Sequence, residues 1–354
     1  MRDIAETLGI SVSAVSLSLN NKPGVTDELR RRVVDEARRK GYPMNKLQER
    51  RSNGSDLGFL INREYLRGGD PVYARILSEA QAEAERRGYH LLIGALSPAE
   101  ARAGKLPQFF NNGVSGVIVD DGFDEAYVLR TLHERAPVVL FGYDFIDASL
   151  DSVRSDDLSG AATAVRYLIE HGRRRIGLVW ALPNHFNIIR RRHGYLIALE
   201  QAGIRLDPRL ESAPAAISDA DSGFRATQEL LERTGGRLDA VFCVTDPLAT
   251  GCLRAIHESG LTVPEDISVI GYDDMSWVCH LTPPLTTMHV PSVEMGQRAV
   301  QRLISLAESR RRGETEDPVA IQMPVHLVVR GSVSRKRRGA GAVLSAHPGT
   351  GKEV

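Results

Sequence analysis

From Leu57 onward the chain alternates short unbroken apolar runs with longer stretches of helical periodicity. The apolar runs are Leu57–Ile61, His90–Ile93, Gly116–Val119, Val138–Phe141, Ile176–Trp180, Ala240–Val244 and Val269–Gly271. Between them the spacing predicts helices over Tyr73–Gly88, Pro98–Asn111, Glu125–Arg135, Leu158–His171, Ile189–Gly203, Ser222–Thr234 and Ala249–Ser259. A strand that is apolar at successive positions has both faces buried, so these runs belong in parallel sheets covered by helices on either side. Two such series in one chain of 354 residues predict two α/β lobes.

The first fifty residues follow another pattern. Ile4, Ala5 and Leu8 share one helical face, Gly9 ends that helix, and Ser11 is placed to cap a second helix over Val12–Leu19. Val15 and Leu19 turn inward there, leaving Val12, Ser13, Ser16 and Leu17 outward. Asn21-Lys22-Pro23-Gly24 is a turn signal, and Thr26 caps a third helix with Leu29, Val33, Val34 and Ala37 as its inner stripe, stopped by Gly41. Two short helices joined this tightly fit a helix-turn-helix, whose second helix enters the DNA major groove; they also fit an ordinary amphipathic helix pair.

Charge helps to choose. The whole chain is neutral, yet residues 1–54 hold eleven Lys or Arg against seven Asp or Glu, a local excess of +4. A basic module on a neutral body suits nucleic acid. The three cysteines, Cys243, Cys252 and Cys279, have no close spacing and read as reduced thiols rather than a disulfide framework or zinc site. No apolar run reaches the length of a membrane span, and the N-terminal residues hold no signal-peptide core, so a cytoplasmic protein is expected.

Over all three helices, DIAETLGIS-VSAVSLSLN-NKPGVTDELRRRVVDEARRKGYPMN resembles the DNA-binding headpiece of the lactose-repressor (LacI-type) family of bacterial transcription regulators. The resemblance implies that Val12, Ser13, Ser16 and Leu17 face operator bases, and that Ser11, Ser16 and Asn20 help to hold phosphates. Hydroxyls can serve either role, and apolar side chains can touch thymine methyls. Family members often carry Thr at Ala14 and Arg at Leu17, so this helix lacks a guanine-reading arginine. The family's next segment is a hinge helix that inserts a leucine into the minor groove. Here Asn45–Asp56 departs from it: Arg51 stands where that leucine is expected, Leu47 is the one large apolar residue, and Lys46, Leu47 and Arg51 are the candidate DNA contacts. Such a segment is either a short hinge using its arginines or a flexible linker, which the Ser52-Asn53-Gly54-Ser55 run favours. The chain also begins closer to its first helix than is usual in the family, as it would if translation started upstream of Met1.

The rest of the chain resembles that family's core, which is similar to periplasmic sugar-binding proteins. The fold expected is thus a small all-α helix-turn-helix headpiece (1–44), a linker (45–56), a two-lobed α/β core with parallel sheets (57–332) and a disordered tail (333–354). The first lobe takes about 57–154 and 285–312, with Leu285-Thr286-Thr287 opening a strand that crosses back to it and a helix over Val293–Leu306. The second takes 155–284 and 313–332, with a last strand in Val325–Ser332. Ligands of open α/β sheets bind outside the carboxyl ends of strands. That rule and the resemblance together single out Asp120, Asp246 and Asp273 at strand ends, Arg191 in an R-x-x-G-aromatic pattern, and Tyr73, Trp180, Phe186 and Trp277 as aromatics near a cleft between the lobes. Carboxylates, a guanidinium fork and aromatic faces suit a polyol. Each also has a plainer reading, as a helix-capping carboxylate or a core aromatic.

No serine elbow or paired-histidine metal motif is present, and Gly349-Thr350-Gly351-Lys352 lacks the first glycine and the metal-binding hydroxyl of a phosphate loop. No enzyme activity, cofactor or metal is expected. The resemblance implies a homodimeric, effector-controlled regulator, more simply a repressor, that binds double-stranded operator DNA and a sugar or sugar phosphate between its lobes. A solute-binding receptor feeding a transporter is the alternative.

Overall fold

The structure is a computed structural model that describes residues 1–19, 24–40, 55–63, 71–145 and 150–336. The chain divides into two compact units: Met1–Phe141, Phe145–Asp151 and Gly296–Val319 form the first, and Gly142–Asp144, Ser152–Met295 and the segment from Ala320 form the second.

The first unit opens with α1 (Arg2–Leu8), α2 (Val12–Leu19) and α3 (Asp27–Arg39). Gly9 ends α1 in the left-handed region, φ 65°, where a side chain would be strained. The Ser11 Oγ accepts a hydrogen bond from the Ala14 amide at 3.0 Å and the Thr26 Oγ1 from the Leu29 amide at 3.3 Å, so both expected caps form. Ile4, Ala5, Val15, Leu19, Val33 and Ala37 make one small core, with Leu8, Ile10 and Leu29 at its margin. Lys40 ties the far end of α3 to α1: its ammonium donates to the Asp3 carbonyl at 2.5 Å and to the Thr7 hydroxyl.

The same unit holds four parallel strands, β1 (Asp56–Asn62), β2 (His90–Leu96), β3 (Val117–Asp120) and β4 (Val138–Phe141), in the order β2-β1-β3-β4. The register sets Leu57 beside Leu91, Phe59 beside Ile118 and Val119 beside Leu140. Helix α4 (Pro71–Arg86) joins β1 to β2. The helix expected over 98–111 is broken into α5 (Pro98–Arg102) and a 3-10 turn, Gln108–Asn112. Gly104 takes φ 77° and Pro107 follows, which lets the Phe109 ring fill the space over Gly58 and Gly94, where no Cβ would fit. Past α6 (Glu125–Tyr127) the chain continues as a π-helical turn, Val128–His133.

β5 (Asp151–Ser155) went unread in the sequence because it is mostly polar; it is buried nonetheless. Asp151 accepts from the Arg302 guanidinium at 2.5 Å and from the Val319 amide at 3.1 Å, which removes the penalty of burying it.

In the second unit α7 (Asp157–Glu170) leads to β6 (Ile176–Val179), then α8 (Phe186–Gln201), α9 (Ala220–Thr234), β7 (Ala240–Cys243), α10 (Asp246–Glu258) and β8 (Ser268–Ile270). β6, β7 and β8 form a parallel sheet in that order, buried throughout. β9 (Thr287–His289) precedes α11 (Ser292–Arg312), β10 (Ala320–Met323) and β11 (His326–Val328). The expectation that the strand after Leu285 belongs to the first lobe is corrected: β9 pairs antiparallel with β11, and Ile270 and Asp273 bridge to Thr286 and His289, all within the second unit. The chain passes into the first unit only inside α11. β10 pairs in parallel with β5 at Ser152–Ser155.

Two close helix pairs flank this sheet. Gly194 of α8 lies against the Leu158 carbonyl and Ala161 of α7; Gly251 of α10 lies against the Ala220 carbonyl and the Phe224 amide of α9, with Gly223 facing Leu248 in return. Any Cβ at these glycines would overlap backbone, so the helices would have to separate. Gly251→Ala is therefore expected to destabilise the protein by about 1–3 kcal/mol, read as a lower urea midpoint with the m-value unchanged.

Candidate functional sites

The first candidate surface is α2. Ser11, Val12 and Ser13 are exposed, Val12 by 43%, while Ser16 and Leu17 are half-buried. An exposed valine at the start of a helix whose other face makes the core is open to a partner. Leu17 is less free than its spacing suggested: the turn at Gly24, φ 110°, passes close enough that a Cβ there would sit 3.6 Å from Leu17 Cδ1. Ser11 accepts from the Ala14 amide, which holds its hydroxyl in the cap, and it still has its proton to donate. Asn20, Lys46, Leu47 and Arg51, the hinge and the tail beyond Lys336 lie outside the described residues.

The second surface belongs to the second unit and is built around Arg191, which is 3% exposed. α8 carries it inward beside Gly194, where α7 comes close enough for the Arg191 Nε to donate to Asp157 Oδ1 at 2.8 Å. Its Nη1 donates to the Val244 carbonyl at 2.7 Å and pairs with Asp273 Oδ1 at 2.8 Å. The guanidinium lies over the Tyr272 ring, 3.8 Å from its centroid. Burial alone would lower its pKa; Asp273 and Asp157 outweigh burial and hold it above the ordinary arginine value.

Asp273 sits in a turn that no local preference favours. Asp273 and Asp274 have φ 110° and 57°, successive left-handed residues that are not glycine. Three anchors hold them. The Asp273 amide donates to the Met288 carbonyl at 2.9 Å. Asp274 accepts from Arg330 Nη2 at 2.6 Å and lies 3.0 Å from His289 Nδ1. Asp246, wholly buried, accepts from the Met275 amide at 2.8 Å and the Thr287 hydroxyl at 2.6 Å. Gly271 leaves room for that carboxyl, since a Cβ there would collide with Asp246 Oδ1.

These positions revise two sequence expectations, for Asp246 and Trp180, and place the other two aromatics. Asp246 was expected to touch a ligand, but both its oxygens are taken inside the protein, so it positions the turn that presents Asp273. Trp180 donates its indole N–H to the Ser212 carbonyl at 2.9 Å and has the Arg192 guanidinium 5.2 Å from its ring centroid, so it anchors the chain beside β6. Phe186, the first residue of α8, has the guanidiniums of Arg154 and Arg190 at 5.9 and 5.5 Å from its ring centroid. Trp277 is half-buried just before the turn Val278–His280.

In the first unit, Tyr73 and Asp120 meet. Asp120 ends β3, is 2% exposed, and accepts from the Tyr73 hydroxyl at 3.5 Å, while its Oδ2 has no hydrogen-bond partner among the described residues. Burial and the neighbouring Asp121 push its pKa well above the carboxylate range. Sequence reasoning missed Asp157, Tyr272 and Arg330. The Asp pairs 156–157 and 273–274 were visible, but only the fold shows which member of each turns inward.

The chain is similar to known proteins over both units. A periplasmic binding protein-like domain matches residues 165–333. The HTH-type transcriptional repressor PurR of Erwinia tasmaniensis is 31% identical over 347 residues, 94% of this chain and 96% of the relative. Among solved structures, the cellobiose complex of the transcriptional regulator CelR is 28% identical and superposes with a TM-score of 0.69, covering 93% of this chain and 98% of that one. A sugar-binding transcriptional regulator of the LacI family from Escherichia coli, complexed with phosphate, is 26% identical over 79% of this chain and 99% of its own, with a TM-score of 0.67. Fold, headpiece and relatives together define a DNA-binding transcription regulator. The chain belongs to the LacI family.

The buried carboxyl of Asp246 makes this unit sensitive to pH. Burial first, then the charge of Asp273, push its pKa up to about 8, against the opposing donors Thr287 and Met275. The folded chain thus holds a proton that the unfolded chain releases near pH 4, as an ordinary aspartate does. The resulting stability is complete below about pH 4 and is lost as pH rises toward about 8. Thermal unfolding across that range should show the decline in the native protein and a flatter profile in Asp246→Asn.

Proposed function

We propose that this regulator is a repressor whose hold on a two-fold operator is set by a small polar effector, a sugar or sugar phosphate, engaging Asp273 beside Arg191. The observation that carries this reading is the strained turn at Asp273. Its carboxylate is paired on one side with a buried guanidinium and remains 28% exposed on the other, ready to accept from a ligand hydroxyl. Tyr73 and Asp120 are the proposed effector contacts of the first unit, and Trp277 and Phe186 supply apolar faces in the second. Relatives named as a repressor, as sugar-binding and as a cellobiose complex support the choice of ligand class. The protein acts in the cytoplasm by binding, without turnover or a cofactor. Among the described residues no helix is long and apolar enough to cross a membrane.

On DNA, α2 is the reader: Val12, Ser13, Ser16 and Leu17 face bases, and Ser11 and Asn20 hold phosphates, with Lys46, Leu47 and Arg51 acting at the hinge. One such helix reads few base pairs, so a homodimer on a pseudo-palindrome supplies the specificity. The effector changes the geometry of the paired headpieces, a coupling of about 1–3 kcal/mol. A solute receptor would have no use for a capped helix-turn-helix.

Two experiments test the two halves. In a thermal-shift screen of sugars, sugar phosphates and nucleosides, a true effector at about a hundred times its dissociation constant should stabilise the fold by about 2.7 kcal/mol. Asp273→Ala should abolish that shift without unfolding the chain; a shift that survives places the effector elsewhere. In operator selection, Ser16→Arg should move the preferred sequence toward guanine at one position per half-site, a discrimination of about 1–3 kcal/mol. An unaltered preference would mean that another element reads the bases.

A further inference from the structure

One cluster in the second unit has no role in the network around Arg191. Arg154 of β5 and Arg190 of α8 bring two guanidiniums to the Phe186 ring. Both hold buried N–H groups without an acceptor among the described residues: Nε and Nη1 of Arg154, and Nε of Arg190. Buried donors are nearly always paired, and charged donors have the most to lose when they are not. Among the described residues the carboxylate paired with Arg154 is that of Asp144, 3.6 Å from Nε, an ion pair too long for a hydrogen bond. The Arg154 side chain is only 15% exposed, so solvent does little to screen its charge. Helix α8 adds to the imbalance. It runs sixteen residues, has no acidic residue in its first turn, and its N-cap His185 makes no side-chain cap, so no carboxylate of the helix itself offsets the positive end of its dipole.

We propose that Arg154 and Arg190 form an anion site of the second unit that takes the phosphate or carboxylate group of a small ligand. The oxygens of such a group would accept from the Arg154 Nε and Nη1 edge and from Arg190 Nε, with the Phe186 ring as the apolar side of the site. That this ligand is the effector rests on the function proposed above; the anion site does not. It selects an acidic effector, a sugar phosphate or sugar acid, over a neutral sugar.

The test uses the full chain. An unpaired buried guanidinium destabilises a fold, so Arg154→Met should melt at a higher temperature than the native protein in sodium chloride alone. Inorganic phosphate or acetate, matched to sodium chloride in ionic strength, should raise the native melting temperature in a saturable way, and the stronger of the two identifies the preferred group. Arg190→Gln should shift the half-saturating concentration upward by about tenfold or more, and Arg154→Met should remove the response. A melting temperature lowered by Arg154→Met would make the arginine a structural partner of Asp144 and overturn the proposal. So would an anion response equal in all three proteins, which would place the anion elsewhere, or none in the native protein. A response that follows these variants but leaves operator affinity unmoved keeps the anion site and refutes the effector reading.

Discussion

The second unit depends on burying one guanidinium. Arg191 leaves water only because Asp157, Asp273 and the Val244 carbonyl receive it and Tyr272 covers its face. Those partners come from the start of α7, the turn after β8, and the end of β7, so one side chain fixes three elements against the helix that carries it. A buried pair of this kind adds little net stability, because desolvation offsets attraction; losing one partner, however, costs about 3–5 kcal/mol. Its contribution is therefore to specify one arrangement. Gly194 is the condition for all of it, since α7 and α8 must nearly touch for Arg191 to reach Asp157.

The same economy explains the turn at Asp273. Two consecutive left-handed aspartates store about 1–3 kcal/mol each, and the fold offsets this with Asp246, Thr287, Met288 and Arg330. Asp246 is the member with most influence. Its oxygens hold both the Met275 amide and the Thr287 hydroxyl, linking the turn to β9. A carboxylate aimed by strain and over-determined by its surroundings loses little freedom when a ligand arrives. Asp246, which looked like a ligand contact, is instead the residue that holds the Asp273 turn still.

The amino-acid order was legible where burial is monotonous and opaque where polarity is buried. β3, β4, β6, β7 and β8 announce themselves as apolar runs, and the headpiece through its caps at Ser11 and Thr26. β5 hides because Asp151, Ser152, Arg154 and Ser155 read as loop until Arg302 and Val319 are seen to satisfy Asp151. Arg191 and Asp273 stand out by pattern and position, but Asp157 looks like one more acidic residue at a helix start. Its neighbour Asp156 does cap that helix, accepting from the Ser159 amide, and only the fold separates the two roles. Periodicity reports which face is inward; it does not report which polar side chain will find a partner there.

The headpiece poses the reverse problem, a surface with few strong hydrogen-bonding groups. α2 offers two exposed hydroxyls, an exposed valine and a half-buried leucine resting near Gly24. None of them can clamp guanine in the bidentate way an arginine does. With α2 as the proposed reader, discrimination rests on methyl contacts and on how readily the DNA takes the required shape, both weaker per base pair. The rest of the affinity has to come from phosphates, which carry no sequence information. Arg31 and Arg32 stand exposed on α3, and Arg39 follows them on the same helix, its charge partly spent on Glu36 at 2.8 Å. A reader of this kind gains specificity chiefly by pairing with a second copy, because two weak half-sites at fixed spacing multiply their discrimination where one strong base contact is missing. Under the proposed function, control is control of spacing, and a rigid Arg191–Asp273 frame suits such a sensor.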